Sequence, residues 1–349
     1  MFNVCALSAE RDRLVSFAKE EGIGYKYLPM RREISLWADL RCLLMFIWIF
    51  IKDRPYIVHG NTPKASLLTM VAAWITRRPV RIYMCHGLRY QGAQGGMRRL
   101  LMLMERITCS SATHVISVSK GVADKMIADG LCNKEKMHVI GYGSAGGVDT
   151  DKYNPETVKS TVRRDLNIPE DALVYSFVGR IVKDKGVNEL VNAFDKISRN
   201  KNNVHLLLVG PIESKQNPVN AETLELINNN THIHLVGMQN DVRPFLKASN
   251  VFVLPSYREG FGTVLIEAGS MGLPCITTNI TGCNEIIVHG ENGSIIEPKD
   301  EKALFDEMEE YYSNPIKVEN MAQRARRMVV ERYECHKVWN QYYDFYQSL

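Results

Sequence analysis

Short apolar runs alternate with segments of helical period along most of the chain, and this alternation is the strongest constraint on its fold. Segments such as KASLLTMVAAWI separate the runs. Strands that are apolar throughout belong in parallel sheets with helices on both faces. The runs cover residues 56–60, 80–86, 114–119 and 137–143 in the first half, and 172–180, 204–210, 233–238, 251–256 and 274–278 in the second. The sequence therefore predicts an α/β protein built from parallel sheets.

A polar stretch without a strand pattern, residues 149–172, separates the two sets of runs. A length of 349 residues suits two domains. We predict two doubly wound, Rossmann-like domains, residues 1–155 and residues 156–327. One further helix is predicted over residues 328–349.

The eight cysteines are scattered without CxxC spacing, which argues against both a zinc site and a disulfide framework. The N-terminus lacks the pattern of a secretory signal. We therefore expect reduced thiols in a cytoplasmic protein.

The charge of the chain is unevenly distributed. Residues 1–152 contain 22 Lys and Arg against 13 Asp and Glu, whereas residues 153–349 contain 21 against 26. A basic half can face an anionic membrane or a pyrophosphate-bearing substrate, or can simply be a solvated surface. Nucleic acid is disfavoured because no recognition motif accompanies the charge.

One apolar segment, LWADLRCLLMFIWIFI (36–51), resembles part of a membrane span. Its unbroken apolar run, residues 43–51, is much shorter than the roughly 20 residues that a spanning helix needs. A helix that is apolar on nearly all sides is either buried or partly inserted in a membrane interface. Both interpretations stay open, and the second predicts a peripheral location on a membrane surface.

Two loops that follow predicted strands contain the residues of a ligand site. In GRIVKDKG (179–186), Gly179 allows a turn, and Arg180 and Lys185 offer two cations before a helix. Such a loop can hold a diphosphate, because Arg and Lys bind phosphate oxygens and the helix terminus adds amides. The alternative is an ordinary basic surface loop.

The second loop opens the stretch EGFGTVLIEAGSMGLP (259–274). Amides around Phe261, Gly262 and Thr263, at the start of a predicted helix, can contact the same phosphates. About one turn into the helix, Glu267 can accept hydrogen bonds from ribose hydroxyls. Glu259, at the mouth of the loop, is then available for a sugar.

The two loops together resemble the nucleotide-sugar site of family 4 glycosyltransferases, retaining enzymes of the GT-B fold. VHGNTPKAS (58–66), CHGLRY (85–90) and HVISVSKGV (114–122) resemble bacterial members that build capsule, O-antigen and other surface polysaccharides. The resemblance implies a cleft between an acceptor-binding N-terminal domain and a donor-binding C-terminal domain, with the last helix crossing back. It also implies a nucleotide-sugar donor, with UDP the expected nucleotide, and a saccharide acceptor, expected to be lipid-linked.

The resemblance further implies roles for individual residues. Arg180 and Lys185 neutralise the diphosphate, Glu267 binds ribose and Glu259 binds the donor sugar. His86 matches the family's cleft histidine, which faces the transferred sugar. We therefore expect Arg180, Lys185, Glu259 and His86 to be the catalytic residues.

Two further residues, His59 and Lys64, lie in HGNTPKA (59–65), where the predicted strand 56–60 ends and a loop begins. By the position of their loop they are candidates for contacts with the acceptor or the donor. A structural role is the alternative for each of them, as it is for His86.

Two other motifs do not have the context that their chemistry requires. GYGSAG (141–146) matches the dinucleotide pattern G-x-G-x-x-G, but no helical pattern follows it. Asp149 and Asp151 form a D-x-D triplet within a polar linker. We expect neither a dinucleotide cofactor nor a metal ion, since Arg, Lys and helix termini supply the positive charge.

Compared with the family pattern, the first strand and helix are missing, because residues 2–30 resemble the second strand, its helix and the third strand. This difference keeps open the alternative of a non-catalytic or degenerate nucleotide-sugar-binding protein. A nucleotide-sugar epimerase or hydrolase is a second alternative, because such enzymes can share the two-domain fold.

Overall fold

The structure is a computed structural model that describes residues 2–31, 34–215 and 217–349. The chain divides into two compact units. Unit 1 contains the residues up to Ser117 with Ala123–Val139 and Leu349, and unit 2 contains Val118–Val122 and Ile140–Ser348. Strands and helices alternate in both units, so the α/β prediction is confirmed.

Unit 1 contains two parallel sheets. Its elements are β1 (Cys5–Ser8), α1 (Arg11–Glu20), β2 (Gly24–Tyr27), α2 (Leu36–Asp53), β3 (Ile57–Gly60), α3 (Pro63–Ile75), β4 (Val80–Cys85), α4 (Gly95–Ser111), β5 (His114–Ser117), α5 (Lys120–Ala128) and β6 (Met137–Val139). Strand β1 pairs with β2, and the other four strands form a sheet in chain order. The helices α2, α3 and α4 pack side by side.

Unit 2 contains one six-stranded parallel sheet in the order β12-β11-β10-β7-β8-β9. Its elements are α6 (Val162–Asp165), β7 (Leu173–Val178), α7 (Val187–Ser198), β8 (Val204–Val209), α8 (Ala221–Asn229), β9 (Ile233–Gly237), α9 (Arg243–Lys247), β10 (Val251–Leu254), α10 (Thr263–Ser270), β11 (Cys275–Thr278), β12 (Gly293–Ile296), α11 (Glu301–Ser313), α12 (Pro315–Tyr333) and α13 (Cys335–Gln347). The central strands are buried on both faces, as their continuous apolar sequences predict.

The C-terminal segment differs from the prediction of one helix over residues 328–349. Helix α12 ends at Tyr333, and α13 begins at Cys335. Between them Glu334 is extended, with ψ of 131°, and its carboxylate accepts the amides of His336 and Lys337 at 2.9 Å. The single-helix prediction is wrong because Glu334 caps a new helix.

The predicted strand positions agree with the structure. The sequence pattern after the motif GYGSAG also agrees with it. After β6 the next helix in the described chain is α6, so no helix follows that motif directly. Among the strands of the described residues, β12 is the one that the sequence did not predict. With only four residues, GSII, it has no apolar run long enough to be distinguished from a loop.

Helix α2 is apolar on both sides, and only one side is covered. Cys42, Phe46, Ile49 and Phe50 are buried, whereas the opposite side is exposed to solvent. The buried-core interpretation of this segment therefore describes one face of the helix. In the described parts of the chain, no helix has both the length and the hydropathy needed to cross a membrane.

Candidate functional site

The two loops that the sequence singled out lie at one edge of the unit 2 sheet. Strands β7 and β10 are neighbours, with Val251 opposite Tyr175 and Phe252 opposite Ser176. After β7 the chain makes a 3-10 turn at Lys183–Lys185 before α7, and after β10 it leads through Glu259 into α10. Both loops leave the carboxyl ends of parallel strands, where open α/β sheets bind ligands.

Gly186 fixes the distance between the two loops. Its φ of +70° lies in the left-handed region, and a Cβ atom there would be 2.0 Å from the carbonyl oxygen of Pro255. Only glycine fits both restrictions. The Asp184 carbonyl also accepts the amide of Tyr257 at 2.9 Å, and Arg258 forms an ion pair with the Asp184 carboxylate at 2.8 Å. The backbones of the loops are therefore in direct contact.

Lys185 and Glu259 form an ion pair across this contact. The Nζ and Oε1 atoms are 2.5 Å apart, and the side chains are 23% and 13% exposed. The Ser256 hydroxyl donates to the same carboxylate oxygen at 2.8 Å. The sequence assigned these two residues to different parts of a donor but did not predict that they pair. A cation and an acid held this way can bind an anionic group and hydroxyl groups side by side.

Arg180 follows β7 after Gly179 and is exposed. The preceding Gly179 donates its amide to the Val209 carbonyl at 2.9 Å, which holds the start of the loop against β8. The predicted cations thus differ in their surroundings: Lys185 is paired and half-buried, and Arg180 extends into solvent.

The start of α10 is already hydrogen-bonded to the protein's own backbone. The amide of Gly262 donates to the Gly282 carbonyl, and that of Thr263 to the Phe261 carbonyl, both at 2.9 Å. The Phe261 ring packs edge-on against Tyr333, with centroids 5.6 Å apart. In this conformation the amides of Gly262 and Thr263, two of those predicted to contact phosphate, already have backbone acceptors.

Glu267 is half-buried on α10, and burial raises its pKa to about 7. A hydrogen bond from the Tyr153 side chain acts in the opposite direction, because it stabilises the ionised carboxylate. The sequence placed Glu267 on this helix but missed Tyr153. Nothing in the polar stretch around DKYNP identifies α10 as its neighbour.

His59 and His86, the two histidines predicted to contact a substrate, lie on neighbouring strands of unit 1. His59 is in β3 and His86 follows β4, and these neighbouring strands pair with Gly60 opposite Tyr83. Burial, with a smaller contribution from the charge of His86, lowers the pKa of His59 to about 4. Burial also lowers the pKa of His86. Both imidazoles are therefore neutral at pH 7.

Lys64 lies at the start of α3, where it holds two segments of unit 1 together. Its Nζ atom is 2.6 Å from the Asp39 carboxylate and 2.8 Å from the Arg31 carbonyl. These two contacts give the Lys64 side chain a structural role.

Potential metal ligands occur away from the two loops. Glu334, Cys335 and His336 form the one group of three within the described residues whose ligand atoms lie within 4.8 Å of one another. The Glu334 carboxylate of this group already caps α13. Asp149, from the D-x-D triplet, accepts the amides of Asp151 and Lys152 at 3.2 and 3.0 Å, as a turn residue does.

Comparisons with known proteins match the two halves of the chain to two families. Residues 158–328 match Glycosyl transferases group 1, and residues 3–152 match Glycosyltransferase Family 4. The capsular polysaccharide biosynthesis glycosyltransferase CapM of Staphylococcus aureus is 36% identical over 92% of this chain and 84% of its own length. The UDP-Gal:alpha-D-GlcNAc-diphosphoundecaprenol alpha-1,3-galactosyltransferase of Escherichia coli is 25% identical over 100% of this chain and 89% of its own.

Solved structures show the same fold. Anabaena Alr3699/HepE in complex with UDP superimposes with a TM-score of 0.80 over 96% of this chain and 89% of that one, at 21% identity. A glycosyltransferase from Rickettsia africae ESF-5 also gives a TM-score of 0.80, over 99% and 89% of the two chains, at 21% identity. Together with the relatives, these structures confirm the GT-B fold class, and the chain belongs to glycosyltransferase family 4.

Proposed function

We propose that this glycosyltransferase moves a sugar, with retention of configuration, from a UDP-sugar to a lipid-linked saccharide during surface-polysaccharide biosynthesis. The observation that carries the proposal is the pairing of Lys185 with Glu259 at 2.5 Å, at the edge where Arg180 also lies. The E. coli relative's name, which specifies a UDP-sugar donor and a diphosphoundecaprenol-linked acceptor, supports the choice of substrates.

The chemistry follows from the charge that develops during transfer. Breaking the bond between the anomeric carbon and the phosphate oxygen leaves negative charge on the diphosphate. Preorganised cations that stabilise this charge lower the barrier. We assign this role to Arg180 and Lys185, while Glu259 accepts hydrogen bonds from donor sugar hydroxyls and Glu267 from the ribose.

Retention is assigned to attack on the face from which the diphosphate leaves. The acceptor oxygen bonds to the anomeric carbon while the bond between that carbon and the phosphate oxygen breaks. The released phosphate oxygen then takes the proton of the acceptor hydroxyl. The neutral His86 can donate a hydrogen bond to the transferred sugar. Because two side-chain cations balance the diphosphate, we propose that no metal ion is needed, and transfer should persist in EDTA.

One surface of unit 1 supports the proposal that the acceptor is held in a membrane. We call it the docking face: the large exposed apolar side chains of α2, α3 and α4. Its members are Leu36, Trp37, Leu40, Leu44, Trp48, Ile51, Trp74, Ile75, Met97, Leu100, Leu103 and Ile107. Trp37 is 85% exposed and Trp48 is 61% exposed. Many large exposed apolar side chains on neighbouring helices are a sign of an interaction site.

Helix α4 combines buried polar residues with exposed apolar ones. It buries the polar residues Glu105, Thr108 and Ser111. On its exposed side it carries Leu100, Leu103 and Ile107. An exposed side that carries these apolar residues together with arginines is suited to a membrane interface.

The charges around the docking face select an anionic partner. Exposed cations accompany the apolar residues, namely Arg41, Lys52, Arg77, Arg98, Arg99 and Arg106. The three acids of these helices each have a partner: Asp39 pairs with Lys64, Asp53 with Lys26, and Glu105 accepts the Tyr83 hydroxyl. We propose that the occupant is an anionic lipid bilayer, to which the protein binds peripherally and which holds the acceptor's lipid.

Transfer is tested by incubating the protein with isotope-labelled UDP-sugars and an undecaprenyl-diphosphate-linked saccharide. Labelled lipid product with the donor's anomeric configuration, read by NMR, is the expected result. An inverted product would overturn retention. Release of free sugar, or a C4-epimerised donor without transfer, would support a hydrolase or an epimerase instead, and nucleotide binding without any turnover would support a non-catalytic binding protein.

Docking is tested by sedimentation with vesicles. Binding to vesicles containing phosphatidylglycerol, weaker with pure phosphatidylcholine and weakened by salt, is expected. A variant with Arg98→Glu and Arg99→Glu should lose this preference, whereas Arg324→Glu and Arg327→Glu on α12 serve as the matched control. Equal binding to both kinds of vesicle would contradict an anionic partner.

A further inference from the structure

Tyr257 lies in the loop that carries Glu259, and its side chain reaches the first turn of α7. The hydroxyl donates a hydrogen bond to Oε1 of Glu189 at 2.5 Å, across 68 positions of the chain. Tyr257 is half-buried, and burial together with this hydrogen bond raises the pKa of the hydroxyl, which keeps its proton and acts as the donor. A side chain thus joins the loop after β10 to the helix that follows Lys185.

The carboxylate of Glu189 depends on this donor. Its second oxygen, Oε2, is buried and has no hydrogen-bond partner among the residues that the structure describes. A buried carboxylate that lacks donors is costly, so the hydrogen bond at Oε1 contributes more than one at a solvated acid would. Because Glu189 belongs to α7, this bond fixes the tyrosine relative to that helix.

The rest of Tyr257 is also held. The Nζ atom of Lys299, which follows β12, lies 5.0 Å from the centroid of the tyrosine ring. A cation over an aromatic ring is attracted by the negative face of the ring. The amide of Tyr257 donates to the Asp184 carbonyl at 2.9 Å. The backbone, the ring face and the hydroxyl therefore each have a separate partner.

Glu259 is two positions after Tyr257 in the same loop. Its carboxylate contacts the Lys185 Nζ atom and the Ser256 hydroxyl. Ser256 directly precedes Tyr257, and its carbonyl accepts the Thr278 hydroxyl at 2.5 Å. Tyr257 thus lies between Glu259 and the serine that binds it, so a shift of the tyrosine would displace the carboxylate from Lys185.

We propose that Tyr257 is a positioning residue for the donor site: its hydrogen bond to Glu189 holds the loop so that the Glu259 carboxylate lies beside Lys185, where it receives the hydroxyls of the donor sugar. This inference rests on the proposed donor site and adds to it two residues, Tyr257 and Glu189, that the sequence did not single out. Since Glu259 is assigned to the sugar, loss of the contact should affect binding of the sugar more than binding of the nucleotide.

The test compares wild type with Tyr257→Phe, which removes only the hydroxyl. Tyr312→Phe is the matched control, because Tyr312 is also half-buried and has a lysine, Lys201, 4.9 Å from its ring centroid. Calorimetry gives dissociation constants for UDP and for whichever of UDP-glucose, UDP-galactose and their N-acetyl derivatives the wild type binds most tightly. Tyr257→Phe should weaken sugar-nucleotide binding by about threefold to tenfold, the effect of one hydrogen bond, and leave UDP binding nearly unchanged. Tyr312→Phe should leave both constants unchanged.

Further variants show whether the effect passes through Glu259 and Glu189. In a Glu259→Ala background, Tyr257→Phe should cause no additional loss, because the carboxylate that it positions is absent. Glu189→Ala removes the acceptor and should resemble Tyr257→Phe. Glu189→Gln keeps an acceptor oxygen for the tyrosine and should bind the sugar nucleotide more tightly than Glu189→Ala does.

The possible results separate the positioning role from the donor site itself. Equal weakening of UDP and sugar nucleotide in a folded Tyr257→Phe variant would show that the tyrosine only supports the fold of the loop. Unchanged affinities, or a full additional loss in the Glu259→Ala background, would also overturn the positioning role while the donor site stands. Failure of the folded wild type to bind any of these nucleotides would instead overturn the proposed donor site, and the positioning role with it.

Discussion

The strand-end loops of unit 2 and the docking face of unit 1 are organised in opposite ways. In the loops, charged groups are paired at short distances, as in Lys185 with Glu259 and Arg258 with Asp184. On the docking face, the large apolar side chains and arginines extend into solvent. A small ligand is recognised by a few groups held in place. A large partner such as a membrane is bound by many weak contacts spread over a wide surface.

This difference predicts how each region responds to substitution. Removing one group from the loops should have a large effect, because no neighbour replaces it. Removing one side chain from the docking face should have a small effect that adds to others, because each contributes part of a wide surface.

The largest effect is expected for Lys185→Ala. Loss of a cation that stabilises the departing diphosphate should reduce the transfer rate about 100-fold or more. Lys183→Ala, an exposed lysine in the same turn, is the control and should stay within about threefold of wild type. Equal losses in the two variants, measured as initial rates, would show that the loop contributes only general positive charge.

The next largest effect is expected for Gly186→Ala. The added Cβ meets the Pro255 carbonyl at 2.0 Å, so the loops must separate. Gly290→Ala has a similar φ of +82° but has no atom within 4 Å of the added Cβ, so it measures the backbone strain alone. That strain is about 1–2 kcal/mol of unfolding free energy.

Denaturant unfolding should show a larger loss in Gly186→Ala than in Gly290→Ala, and only Gly186→Ala should lose nucleotide affinity. Equal behaviour of the two variants would contradict the close contact between the loops.

The third prediction separates the regions by pH. Burial raises the pKa of Glu267 to about 7, so this carboxylate becomes protonated as the pH falls from 8 to 6. A protonated acid accepts ribose hydroxyls less well, and UDP affinity should fall by about tenfold over this range. In Glu267→Gln this fall should be absent apart from the titration of UDP itself. Arginines do not titrate here, so vesicle binding attributable to them should stay constant.

The smallest effect is expected for single substitutions on the docking face. Trp48→Ala should weaken vesicle binding by a few fold, since about 25 cal/mol is lost per Å² of apolar surface that no longer enters the bilayer. In the double variant Trp37→Ala, Trp48→Ala, the fold-losses in vesicle affinity of the two single variants should multiply. The exposed Trp339 in unit 2 gives the control Trp339→Ala, which should bind vesicles as wild type does. A complete loss from one substitution would mean that the face binds through a specific pocket.

Features set by local sequence were predictable. The apolar runs gave correct strand positions, and because all strands run parallel, the two loops had to meet at the carboxyl edge. The stretch 36–51 was identified as unusual from its apolar run alone.

Features that depend on distant residues were not predictable. The Lys185–Glu259 pair joins residues 74 positions apart, and Tyr153 lowers the pKa of Glu267 from a segment whose own pattern is only polar. The exposed stripe of α4 was missed for another reason. Leu100, Leu103 and Ile107 have the spacing of an ordinary core stripe, so periodicity cannot show which side faces solvent.

The central claim is that unit 2 binds a nucleotide diphosphate through Arg180 and Lys185. Calorimetric titration of the protein with UDP, GDP and ADP, beside the double variant Arg180→Ala, Lys185→Ala, tests it most directly. We predict a dissociation constant on the order of micromolar for UDP, weaker binding of the other two nucleotides, and loss of UDP binding in the folded double variant. Unchanged UDP affinity in the double variant, or no nucleotide binding by the folded wild type, would contradict the account.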